Sequence, residues 1–183
     1  AQAVVVNSGI ANACTGKQGL DCCKAEAECA GKLLGVPTDA VLVASTGVIG
    51  MQIPVDRISS GIEKLVAAKA ASLIGPEDFV YLDAGTTTAC MLSYLTEKSA
   101  TFVTNAVAHA KALAAAGFRV YLVGGELKGS TEAVVGNQAL VNLQSYHFTK
   151  GFFGTNGISR QNGLTTPDMN EAMVKKTAMG QCR

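Results

Sequence analysis

Chemistry is concentrated at the ends of the short apolar runs. After FVYL (79–82) come Asp83, Ala84, Gly85, Thr86, Thr87 and Thr88. A polar glycine turn of this kind, leading into a helix, offers backbone N–H groups and hydroxyls, a combination that suits a phosphate. The same residues would also serve as an ordinary N-cap cluster. Thr104 and Asn105 end the next apolar run, Gly124, Gly125 and Glu126 the one after, and Asn156 and Gly157 close GFFGTNG. Together they supply further hydroxyl, amide and carboxylate groups at the strand ends. Lys128 and Lys150 could balance ligand charge, or be a solvated lysine and a strand-start lysine. Nearer the N-terminus, Asn7, Ser8 and Gly9 follow AVVV, and Ser45 to Gly50 (STGVIG) follow VLVA.

Other chemistries are disfavoured. The six cysteines are irregularly spaced, with no C-x-x-C pair and only two histidines, His109 and His147, which argues against zinc or any other metal centre. Reduced thiols acting as small apolar residues imply the cytoplasm. Cys14 has no histidine near it in sequence and is not read as a nucleophile. His109 and His147 are read as packed or surface residues. A formal net charge of +1 gives no footprint for nucleic-acid binding. No apolar run is long enough to span a membrane, and the N-terminal AQAVVVNSG lacks the pattern of a signal peptide. With 48% hydrophobic and 16% charged residues, the chain should form a compact core rather than remain disordered.

These residues need a scaffold, and the hydrophobic pattern supplies one. Strands are expected at 3–6, 41–44, 79–82, 101–103, 119–123 and 151–153. Helical spacing fits 21–34, a stretch from Pro54 running on to Ile74, one from the DAGTTT turn through Leu95, and 107–116, 137–146 and 168–179. Ser45–Gly50 and Asp83–Thr88 are read as turns. The alternation predicts an α/β fold with a mainly parallel sheet and helices on both faces, in Rossmann-like layers. Ligands of such folds bind beyond the carboxyl ends of the strands, near a switch point.

Two family resemblances add to this reading. VVVNSGIANACTG (4–16), LLGVP (33–37) and VLVASTGVIG (41–50) resemble ornithine acetyltransferase, the glutamate N-acetyltransferase of arginine biosynthesis. That resemblance implies that the STGVIG turn supplied an oxyanion hole at Thr46 and Gly47, with Asn7 and Ser8 nearby. It also implies a threonine nucleophile freed by self-cleavage, and no equivalent cleavage motif is found here. An oxyanion hole without a nucleophile stabilises a charge that never forms.

AAKAASLI (67–74), FVYLDAGTTT (79–88), FVTNAVAHAKAL (102–113), VYLVGGELKGSTEAVVG (120–136), FTKGFFGTNGIS (148–159) and GLTTPDMNEAMVKKTAM (163–179) resemble the effector-binding domain of DeoR-type repressors, especially those of fructose operons. The resemblance implies a sugar-phosphate isomerase-like fold and a phosphorylated ketose ligand such as fructose 1-phosphate. It implies that Asp83 bonds sugar hydroxyls and that Lys175 joins the site. It also implies a DNA-reading module before the domain and two further strands after it, neither found in this sequence.

The chain is therefore read as a chimera, natural or, as the preferred reading, engineered, joined in the helix around 63–71. One composite domain is expected, with segments 1–65 and 66–179, in which the first segment's strands pair with the sheet and cover its edge. The expected function is non-catalytic binding of a sugar phosphate, with no cofactor; a folding scaffold or an acetyltransferase fragment are the alternatives. An exposed sheet edge or apolar patch would favour self-association.

Overall fold

In a computed structural model that describes residues 1–159 and 161–183, the chain falls into two compact units, Ala1–Val66 and Ala67–Arg183. The division lies inside the helix where the two resemblances meet.

The first unit is a βαβ motif followed by a helix. Strand β1 (Ala3–Ile10) and β2 (Val41–Val48) pair in parallel, Ala3 opposite Val41 through Ile10 opposite Val48. Helix α1 (Gly16–Leu34) joins them, and α2 (Val55–Ala71) follows. Ala27, Ala30 and Val41 form the buried centre, flanked by Val5, Val43 and Ile62. Both strands run on through residues expected to close them. Ser45–Val48 is strand rather than turn, because Asn7, Ser8 and Gly9 continue β1 and hold the register. Gly47 makes this approach feasible: a Cβ there would lie 2.3 Å from the Gly9 carbonyl carbon.

The second unit follows the predicted alternation. Strands β3 (Phe79–Leu82), β4 (Thr101–Thr104) and β5 (Arg119–Leu122) alternate with α3 (Thr86–Met91) and α4 (Val107–Ala115). Then come an antiparallel hairpin, β6 (Glu126–Lys128) with β7 (Ala133–Val135), helix α5 (Asn137–Gln144) and strand β8 (Lys150–Phe152). A second hairpin, β9 (Gly157–Ser159) with β10 (Gly163–Thr165), leads into α6 (Met169–Gly180). The central sheet has the order β5-β4-β3-β8 and is parallel throughout.

Its strands are apolar on both faces, as a sheet covered by helices requires. Tyr81 and Val103 face a core with Leu143, Val174 and Ala178, residues of α5 and α6. Val80, Leu82 and Phe102 face Ala67, Met91 and Leu113, from α2, α3 and α4. Sequence order reverses between β3 and β8, which makes their carboxyl ends the switch point.

The strands of residues 1–50 pair with each other. The last residues of the chain lie beside the entry to β8: the Phe148 N–H donates to the Gln181 carbonyl (2.8 Å), and the Arg183 N–H to the Phe148 carbonyl (3.2 Å).

Candidate functional site

The switch point brings together residues far apart in sequence. Asp83, directly after β3, is 1% exposed. Its Oδ2 accepts from the Gly154 N–H just past β8 (3.0 Å) and from the Lys175 ammonium on α6. The Asp83 N–H donates to the Phe152 carbonyl (3.0 Å), closing the strand ends over one another. Burial pushes the Asp83 carboxyl above the ordinary carboxylate range, against the pull of Lys175 and of the Gly154 and Ala84 N–H groups. Tyr81, buried beneath it, is raised well above its ordinary value by burial and by the Asp83 charge.

A cleft of about 620 Å³ opens beside this pair. Its walls include Gly154, Thr155, Thr166, Lys175, Lys176 and Met179. α6 delivers both lysines because it starts at a firm cap, where Asp168 accepts from the Glu171 N–H (2.9 Å).

The turn after β3 is held from below. The Asn105 Oδ1 accepts from the Tyr81 hydroxyl (3.1 Å) and the Ala84 N–H (3.0 Å), and its amide donates to the Val134 carbonyl (3.2 Å). The Thr88 hydroxyl donates to the Asp83 and Gly85 carbonyls (2.7 and 2.9 Å). The Thr104 hydroxyl accepts from the Ala106 N–H (3.1 Å). Thr88, Thr104 and Asn105, expected as ligand contacts, are thus buried and committed to shaping the turn. Gly85 precedes α3 as its extended N-cap, with Thr86 exposed and Thr87 half-buried on the first turn.

Lys150 and Lys128 both sit in ion pairs. Lys150 starts β8 at the level of Val80 and pairs with Asp78, toward the amino ends of the strands. Burial there is outweighed by hydrogen bonds from Lys150, the Gly75 N–H and Thr149, which hold Asp78 below the ordinary range. Lys128 bridges Asp168 (2.8 Å) and Glu171 (2.9 Å) and ties the first hairpin to the start of α6. Two carboxylates already neutralise it.

Gly124 and Gly125 follow β5, two strands from β3. The Gly124 N–H donates to the Asn142 side chain (3.2 Å), and Glu126 is exposed on β6. Asn156 is exposed and accepts from the Thr166 hydroxyl (3.2 Å); Gly157 opens β9. In the first unit, Thr46 and Gly47 are exposed members of the β1–β2 ladder, opposite Ser8 and Gly9.

Sequence reading passed over Thr155, Thr166, Lys176 and Met179, which line the cleft. His109, expected as a packed or surface histidine, is packed: it is 5% exposed beside the Gly85 backbone, with its ring pushed toward the neutral form chiefly by burial. Also missed was Glu26, whose two carboxylate oxygens are buried without a hydrogen-bond partner.

A family model of the DeoR C-terminal sensor domain matches residues 62–183. The chain is 44% identical over 119 residues to an uncharacterized HTH-type transcriptional regulator FruR of Bacillus subtilis, a match covering 64% of this chain and 47% of that protein. It is 34% identical over 120 residues to a lactose phosphotransferase system repressor of Staphylococcus aureus, with the same coverage, 64% and 47%. A separate segment of 65 residues is 52% identical to the arginine biosynthesis bifunctional protein ArgJ of Thermotoga neapolitana, covering 36% of this chain and 16% of that protein. A crystal structure of ArgJ from Bacillus halodurans shares 49% identity over 32% of this chain and 31% of its own, with a TM-score of 0.32. The chain spans about half the length of its repressor relatives and about a sixth of the Thermotoga ArgJ.

Proposed function

Since the chain belongs, through residues 62–183, to the DeoR C-terminal sensor domain family, we propose that its second unit captures a phosphorylated sugar of the fructose 1-phosphate type. The observation that carries this reading is the Asp83–Lys175 pair at the β3/β8 switch point, opening on a cleft of about 620 Å³. Lys175 and Lys176 supply positive charge. Gly85, Thr86 and Thr87 supply N–H groups and hydroxyls at the neighbouring turn. Thr155 and Thr166 on the cleft wall, the latter bonded to Asn156, offer hydroxyls to the sugar, while the carboxylate of Asp83 holds Lys175 in place. Lys128 and Lys150 act elsewhere, as structural ion pairs.

The unit works as a binding module without catalysis, and the first unit performs no acetyl transfer. Its Thr46 and Gly47 belong to a paired strand rather than to a turn around a nucleophile. Titration calorimetry with fructose 1-phosphate, fructose and inorganic phosphate tests the binding. The expected order of affinity is the phosphorylated sugar first, phosphate second and fructose last. No heat with fructose 1-phosphate at millimolar concentration would remove this reading. Turnover of N-acetylornithine and glutamate by the chain would overturn the non-catalytic part.

A further inference from the structure

Lys175 faces two ways. Its ammonium contacts Asp83, and its side chain is one wall of the cleft. Both partners are withdrawn from water, with side-chain exposures of 14% for Lys175 and 2% for Asp83. Resting on the sugar-phosphate reading, we propose that an anion entering the cleft competes with Asp83 for the one ammonium of Lys175, so that capture is coupled to uptake of a proton by Asp83.

The argument begins from charge. A buried carboxylate persists as an anion only while a cation or several N–H donors hold it. Asp83 has the Gly154 N–H and Lys175. A phosphate dianion on the cleft side of Lys175 draws off part of that ammonium. It also places negative charge near Asp83, in surroundings where screening by water is weak. The carboxyl already leans toward its protonated form through burial, and a proton resolves the conflict.

Among the described residues, the groups facing Asp83 offer no second cation at hydrogen-bond distance. Tyr81 on β3 is neutral, and its coupling to Asp83 is repulsive; Cys182, near Tyr81, has its thiol raised by burial. On α4, His109 lies at the Gly85 backbone and is held neutral by burial. On α6, Lys176 lines the cleft, and no contact between it and Asp83 is made among the described residues.

The test is calorimetry of fructose 1-phosphate binding to the full chain at pH 7, in two phosphate-free buffers of different ionisation enthalpy. Buffer-dependent heats corresponding to uptake of about half a proton or more per ligand are expected. The ligand cannot mimic this, because its second ionisation lies near pH 6, and binding as the dianion releases protons instead. Asp83→Asn should remove the uptake, and His109→Gln should leave it. Where Asp83→Asn does not fold, the wild-type affinity decides: it should rise by up to about tenfold per unit fall in pH between 8.5 and 7.

Equal heats in both buffers with binding intact would overturn the coupling while leaving the sugar-phosphate reading standing. Uptake that survives Asp83→Asn, or vanishes in His109→Gln, would overturn it as well. The absence of any binding heat would remove the reading and the coupling together.

Discussion

At the scale of single residues, two buried carboxylates show how context decides cost. Asp83 has a cation and N–H donors; Glu26 has no hydrogen-bond partner among the described residues. Removing the cation should therefore hurt. Lys175→Met is expected to destabilise the second unit by about 3–5 kcal/mol near neutral pH, the range for breaking a buried pair on one side. The loss should shrink in acid, because protonation relieves the stranded Asp83. Adding Asp83→Asn to Lys175→Met should recover most of it, and urea unfolding of the single and double variants measures both effects. For Glu26, burial raises the folded carboxyl above its unfolded value. The folded state then holds the proton more tightly, so the penalty is absent below the unfolded pKa and grows as pH climbs through the folded one. Glu26→Met should stabilise the first unit at pH 7 by about 1–3 kcal/mol, the usual cost of an unsatisfied buried group. It should also flatten the dependence between pH 4 and 7, followed by circular dichroism during denaturation. A variant that is less stable than the parent at pH 7 would refute the assignment.

At the scale of elements, the hairpins are the part of the fold that sequence hides. Gly125 has φ near 150°, and a Cβ there would sit 2.6 Å from the Val135 carbonyl oxygen. Gly125→Ala should therefore pry β6 from β7 and cost about 1–3 kcal/mol, visible as a lowered urea midpoint. An unchanged midpoint would show that the hairpin absorbs the clash. Parallel strands β3, β4 and β5 were legible to within a residue, since FVYL and TFVT are apolar on both faces and bounded by turns. The two hairpins were not, because β6, β7, β9 and β10 are three residues each, too short for a period of two to register. β1 and β2 ran past Asn7 and Ser45 for a related reason: residue type marked a turn, but pairing across the strands overrode local preference. At the site, Asp83 and Lys175 were named before the structure placed them in contact. For Lys150 the strand-start alternative matches the pairing: its position at the start rather than the end of β8 decides which edge of the sheet it serves. Thr155, Thr166 and Lys176 left no such trace, since the cleft forms where a hairpin and α6 meet in space.

At the scale of the whole molecule, the two units carry buried apolar clusters of unequal size, which implies unequal stability. The first unit's buried apolar cluster is Ala27, Ala30 and Val41, with Ile53 buried as well, on a two-stranded sheet of a kind that is marginal alone. Its outer strand face leaves Val4 60% and Val6 70% exposed. The second unit has two clusters built on a four-stranded sheet, with Tyr81, Phe102, Phe148 and Leu143 fully buried. Scanning calorimetry should therefore resolve two transitions, the first unit melting at the lower temperature. Fructose 1-phosphate binds only the folded second unit in this account. At a hundredfold excess over Kd it should raise the upper transition by about 5–15 °C and leave the lower one in place. Glu26→Met should do the reverse, moving the lower transition alone. A single transition shifted by both the ligand and the substitution would instead mean that the two segments fold as one composite domain, joined through more than the helix they share.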